Sequence, residues 1–252
     1  MIRHRSLFGM AFLLVIAHSA LSFAQDAKNI DPQELIRRIE TQYEGKSSHA
    51  TMIMAVRTED YDRELTMESW SEGSDRFLTV IREPAKEEGT ATLKVGDDIW
   101  NYLPRIDRMV KIPSSLMGES WMGSHLTNDD LVNEDRVDEL YSFEVESAAG
   151  DTVTILCHPR PDAAVEWDLI RYRVELAREI PIDVRYYDER GDLVRTMSFT
   201  DVKQVSGRWI PLTMTVQPAD EPTEHTVIRY EAIEFDVAIP ADFFSVNTLR
   251  RL

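Results

Sequence analysis

Apolar residues first recur at helical spacing and then, from His49 onward, at every second position. In DPQELIRRIETQYEG, Leu35, Ile36 and Ile39 fall on one face of a 3.6-residue repeat, with Tyr43 four residues further on. Asp31 stands at a helix-cap position, Pro32 at the first helical position and Glu34 three residues after the cap. Gly45 ends the pattern, so the spacing predicts one amphipathic helix over roughly 31–43. Alternation then marks TMIMAVRTE, RELTMESWSEG and RFLTVIREP as strands, GTATLKVGDDIWNYLP as a hairpin turning at Gly96-Asp97, and RMVKIP as a closing strand. It resumes with LYSFEVESAAGDTVTILCHP, DLIRYRVELA, the long run from Ile180 to Pro218, and HTVIRYEAIEFD. IPADFFSVNTLRR closes the chain with a short capped turn or helix, and Pro161 to Glu166 reads as another short helix.

The sum is about ten antiparallel strands, one N-terminal helix and an insertion over about 113–135 that breaks the alternation. Asn128-Asp129-Asp130 can start a short helix inside it. A meander this long curls, and helices cover its open face. The expected fold is mainly β: an unclosed antiparallel β-barrel, or strongly curved sheet, with a helical lid over an apolar pocket. No stretch is rich enough in Gly and Ser to divide the chain, so one domain over 25–252 follows a leader. That leader is MIRHRSLFGMAFLLVIAHSALSFA: Arg3 and Arg5, an apolar run from Leu7 to Ala17, and small residues at Ser22 and Ala24. This is the pattern of a secretory signal peptide over 1–24, cleaved after Ala24, and it predicts an exported, soluble chain.

Composition narrows the chemistry. A formal charge of −17 repels phosphate backbones and argues against nucleic acid as a partner. The single cysteine, Cys157, lies in a strand-like run and reads as a buried apolar thiol. The histidines lack the spacing of a metal pair, so no metal or other cofactor is expected. Within the insertion, SSLMGESWMGSHLTNDDL offers Ser120, His125 and Asp129 or Asp130, the inventory of a serine hydrolase. The nucleophile-elbow pattern fails, however, because Met122 stands where the second glycine belongs and no strand precedes Gly118. The same stretch holds Leu116, Met117, Trp121 and Met122, flexible or broad apolar side chains suited to irregular ligands. With Trp100 and Tyr102, which alternate and so share a face, these six are the expected lid and lipid contacts.

Trp100-x-Tyr102-Leu103-Pro104, Arg108, Ile112-Pro113-Ser114-Ser115, Ser120-Trp121-Met122-Gly123-Ser124 and Asp129-Asp130-Leu131 occur in an order that resembles the outer membrane lipoprotein-sorting protein family. That family is a branch of the LolA/LolB-like superfamily. The resemblance implies a LolA-like unclosed barrel and a non-enzymatic periplasmic carrier of lipid or lipoprotein acyl chains towards the outer membrane. It also implies, as a possible donor, an inner-membrane exporter of the resistance-nodulation-division type. In the carrier that names the superfamily, an arginine after the first hairpin holds the lid shut; here Gly73 occupies that position, with Arg76 nearby but out of register. Two other readings stay open: a ligand-sensing envelope-stress regulator of the same fold, since a fold does not fix a function, and the serine hydrolase.

Overall fold

The computed structural model describes residues 30–42, 45–133 and 136–251. The signal-peptide segment and Tyr43 lie outside the described residues. The first helix, α1, runs Pro32–Glu40; the Asp31 side chain accepts from the Glu34 backbone N–H at 3.1 Å, as the cap pattern requires. Leu35, Ile36 and Ile39 are its buried face.

Thirteen strands follow: β1 (Ser48–Arg57), β2 (Asp62–Glu72), β3 (Arg76–Glu83), β4 (Ala91–Val95), β5 (Asp98–Leu103), β6 (Arg108–Lys111), β7 (Tyr141–Ala149), β8 (Thr152–Pro159), β9 (Leu169–Glu175), β10 (Ile180–Tyr187), β11 (Leu193–Val205), β12 (Arg208–Pro218) and β13 (His225–Phe235). Every one falls in a segment where alternation predicts a strand, and their number exceeds the expected ten or so. Residues 161–166 form a turn at Pro161-Asp162 and irregular backbone instead of the short helix expected, with Val165 alone of its side chains packed on the main core. Three short α-helices, α2 (Asp130–Asn133), α3 (Val137–Leu140) and α4 (Val246–Leu249), the last capped by Ser245, and single 3-10 turns at Pro104–Ile106, Ser114–Leu116 and Trp121–Gly123 lie among the described residues.

The strands form one sheet in the order β6-β5-β4-β3-β2-β1-β13-β12-β11-β10-β9-β8-β7. Two meanders therefore grow outward from the central β1–β13 pair, which is antiparallel from Ser48↔Phe235 to Arg57↔His225. The free edges, β6 and β7, are consecutive in the chain, and the insertion is the segment that joins them. The sheet does not close on itself, and the lid arises where the closure is missing.

Both faces of the first meander are covered. The inner face carries Met52, Met54, Val56, Leu65, Met67 and Ile81 into the main core with α1 and the lid. The outer face carries Leu78, Val80, Ala91 and Leu93, which pack under Phe243, Phe244, Val246 and Leu249 of the C-terminal segment. Cys157 is fully buried on β8, as expected, and that burial pushes its thiol well above the ordinary range. Among the described residues no helix is long and apolar enough to cross a membrane.

Candidate functional site

Inside the curl lies a cavity of ≈ 240 Å³. β1 contributes Ser48, Ala50 and Met52 to it, and β10 to β13 contribute Val184, Phe199, Met214, Ile228 and Tyr230. Ile39 and Glu40 reach it from α1, and Trp121, Leu126, Asp130 and Leu131 close it from the lid. Its wall is mostly apolar, with a polar sector of serines, Arg76 and Lys94.

The lid is held down by identifiable bonds. Trp121, 3 % exposed, donates its indole N–H to the Thr92 hydroxyl at 3.1 Å. Arg195 on β11 donates Nη1–H to Asp130 Oδ2 at 2.7 Å and Nη2–H to Asp130 Oδ1, and Nη1 also approaches the His125 carbonyl at 3.3 Å. Its guanidinium lies against Trp167 and Tyr186, at 4.7 and 4.4 Å from their ring centroids, and these two rings meet edge to face at 5.2 Å. Tyr61 donates to the Gly123 carbonyl at 2.6 Å and Arg63 to the Met122 carbonyl at 2.9 Å. Met122 and Gly123 both adopt left-handed backbone, and a Cβ on Gly123 would stand 3.0 Å from the Tyr61 hydroxyl, so only glycine fits this approach. An arginine thus does fasten the lid, from β11; Gly73 lies in the β2–β3 turn at the cavity wall.

His125 makes a further tie. Its Nδ1 meets the Thr226 hydroxyl at 2.9 Å and its Nε2 meets Glu224 at 3.1 Å. Glu221 stands beside them, and one ligand atom from each of His125, Glu221 and Glu224 lies within 4.8 Å of the others, close enough to share a cation. Sequence spacing gives no hint of this group, because about a hundred residues separate His125 from the two glutamates. The hydrogen bond from His125 holds the Glu224 carboxyl below its ordinary range, while a hydrogen bond to Glu224 raises that of Glu221.

The six expected contacts are divided. Trp121 lines the cavity. Met122 is half-buried against the main core, and Met117 is half-buried in the lid. Leu116 is 43 % exposed. Trp100 and Tyr102 share a face, as alternation requires, but it is the outer one: they pack with the C-terminal segment, and Tyr102 donates to Asp107 at 3.2 Å. The hydrolase residues do not meet. Ser120 donates to the Ser124 carbonyl at 2.5 Å, both His125 nitrogens have other partners, and Asp130 is committed to Arg195.

Residues 73–251 match a family model described as "Uncharacterized protein". No curated protein matches the chain. Among solved structures, a domain from Vibrio parahaemolyticus assigned as an outer membrane lipoprotein-sorting protein aligns with a TM-score of 0.75 at 24% identity, covering 87% of this chain and 98% of its own. A DUF1329 family protein from Desulfovibrio piger aligns at 0.77 and 23%, covering 86% and 97%. A LolA superfamily protein from Nitrosomonas europaea aligns at 0.71 and 16%, covering 87% and 99%. These likenesses establish a LolA-like fold, an unclosed β-barrel with a lid.

Proposed function

Because the chain belongs to the family whose model spans residues 73–251 and has the LolA-like fold, we propose that it is a periplasmic, non-enzymatic carrier of lipid or lipoprotein acyl chains. The observation that carries this reading is the ≈ 240 Å³ cavity, walled by apolar side chains of both meanders and roofed by Trp121, Leu126 and Leu131. Each acyl methylene moved from water into such a wall gains about 0.8 kcal/mol. The cavity lies just below the roughly 300–1,000 Å³ of ordinary small-ligand pockets, so a two-chain cargo requires the lid to lift. The ties from Arg195, Thr92, Tyr61 and Arg63 then set how readily it does so.

In this reading the signal peptide over 1–24 delivers the chain to the periplasm, where it accepts cargo from an inner-membrane exporter of the resistance-nodulation-division type and releases it towards the outer membrane. Trp121, Leu126 and Leu131 form the roof of the cargo site, with Met122, Met117 and Leu116 beside them on the moving segment. Trp100 and Tyr102 serve the carrier by anchoring the C-terminal segment to the back of the sheet. The experiment is uptake of fluorescent phospholipid from vesicles by the purified protein. Stoichiometric uptake supports the carrier; an absence of uptake with the protein fully folded overturns it.

A further inference from the structure

The inner wall of the first meander is graded, and the gradient is set by strand register. Directly opposed residues of neighbouring strands share a face. Two apolar rows, Met52–Met67–Ile81 and Met54–Leu65, occupy one end. The next row is Ala50–Ser69–Thr79–Thr92–Asn101, and the one beyond it runs Ser48–Ser71–Phe77–Lys94–Ile99. Most polar members are buried: Ser48 is 7 % exposed, Ser69 6 %, Thr79 0 % and Lys94 4 %, while Ser71 and Asn101 are half-buried. Core positions of a sheet are ordinarily apolar, because a buried hydroxyl or ammonium costs free energy unless it is hydrogen-bonded.

Part of this polarity is consumed by the protein itself. The Ser48 and Ser71 hydroxyls meet at 2.7 Å, Thr92 donates to Asn101 at 2.7 Å, and Lys94 is engaged within the protein. Part is not: the fully buried Thr79 hydroxyl on the same face has no partner among the described residues. Ser48, Ser69, Ser71, Arg76 and Lys94 all line the cavity. Two carboxylates, Asp130 and Glu40, line it as well. Asp130 is paired with Arg195, and Glu40 on α1 is approached by the Tyr172 hydroxyl at 3.4 Å. Arg76 is bonded to Glu72 at 2.6 Å, outside the serine row.

We propose that these two polar rows are a headgroup subsite, and that the cargo is an amphiphile whose head bears phosphate or carboxylate oxygens. The Ser69 hydroxyl, the one proton left over by the Ser48–Ser71 pair and a further N–H of the Lys94 ammonium, which carries three, meet the oxyanion, while the acyl chain runs along Met52 beneath Trp121. The inference rests on the carrier reading and adds the polarity and orientation of the cargo to it.

The test compares two lipids with the same oleoyl chain and different heads, 1-oleoyl lysophosphatidic acid and 1-oleoyl glycerol, by titration of the purified protein, with inorganic phosphate as a third probe. The phosphate lipid is expected to bind at least about tenfold more tightly than the neutral one. Lys94→Met and, should that variant fold poorly, Ser71→Val are expected to reduce this preference to less than about threefold. Equal binding of the two lipids by the wild-type protein overturns the headgroup subsite and leaves the carrier standing. Binding of neither lipid overturns the carrier reading, and the subsite with it. Inorganic phosphate binding as tightly as the phosphate lipid would make the site one for free phosphate and overturn the amphiphile.

Discussion

Arg195 and Asp130 are joined by two hydrogen bonds across the lid interface, with side chains only 5% and 7% exposed. A buried ion pair loses much of its Coulombic gain to desolvation, but removal of one partner strands the other charge in a poor solvent. Arg195→Met is therefore expected to cost about 3–5 kcal/mol in urea unfolding. The double variant Arg195→Met/Asp130→Leu should recover most of that loss. Full additivity of the two single variants would show that the pair does not act as a unit.

Trp121 and Trp100 make a paired comparison, since both are aromatic and only Trp121 faces the cavity. Trp121→Ala is expected to destabilise by about 3–5 kcal/mol and to abolish lipid uptake. Trp121→Phe removes the donor to Thr92 and should cost only about 1 kcal/mol while keeping uptake. Trp100→Ala should lower stability through the outer cluster and leave uptake per folded molecule unchanged. Loss of uptake in Trp100→Ala alone would place the cargo on the wrong face of the sheet.

Much of this arrangement was legible in the alternation of residues, and the parts that were not share a cause. Period-two runs cover the segment of every strand, though they read as about ten, and Asp31-Pro32 with Glu34 marks the start of α1. Alternation also puts Trp100 and Tyr102 on one face, but it cannot say which face is inner when both are covered. Phe243, Phe244 and Leu249, far along the chain, supply the second cover. Phe199, Met214 and Tyr230 read as ordinary strand residues, and their place at the cavity depends on how the sheet curls. The Arg195–Asp130 and His125–Glu224 ties join residues 65 and 99 positions apart, beyond any local pattern. The polar rows emerge only once the register of β1 to β5 is known.

The acid response of the lid follows from Glu224. His125 holds this carboxyl below its ordinary range, so the tie contributes stability above the unfolded value of about 4.3 and loses it as pH falls through the lowered value. Glu221 behaves oppositely: Glu224 raises its carboxyl, so its contribution is complete below the unfolded value and fades as pH rises through the raised one. Limited proteolysis within 113–135 should accelerate on acidification in the wild-type protein and show a weaker pH dependence in Glu224→Gln. Glu221→Gln, which keeps a donor for Glu224 at every pH, should protect the lid at pH 7. Identical profiles for all three proteins would remove this tie from the account.

Ala50 is 2 % exposed and projects into the cavity beside Met52. Ala50→Phe adds volume where space exists, so its cost should lie near the low end of the roughly 1–3 kcal/mol typical of overpacking. The variant is expected to fold and to lose uptake. A folded Ala50→Phe protein that still loads lipid normally would mean that the cargo binds elsewhere.

The carrier reading is tested most directly by native mass spectrometry of the protein isolated from its own envelope, followed by solvent extraction of what it carries. A single bound acyl lipid is expected, absent from Ala50→Phe and raising the unfolding temperature of the wild-type protein when restored. A protein that arrives empty, and stays empty and equally stable after incubation with lipid vesicles, would contradict it.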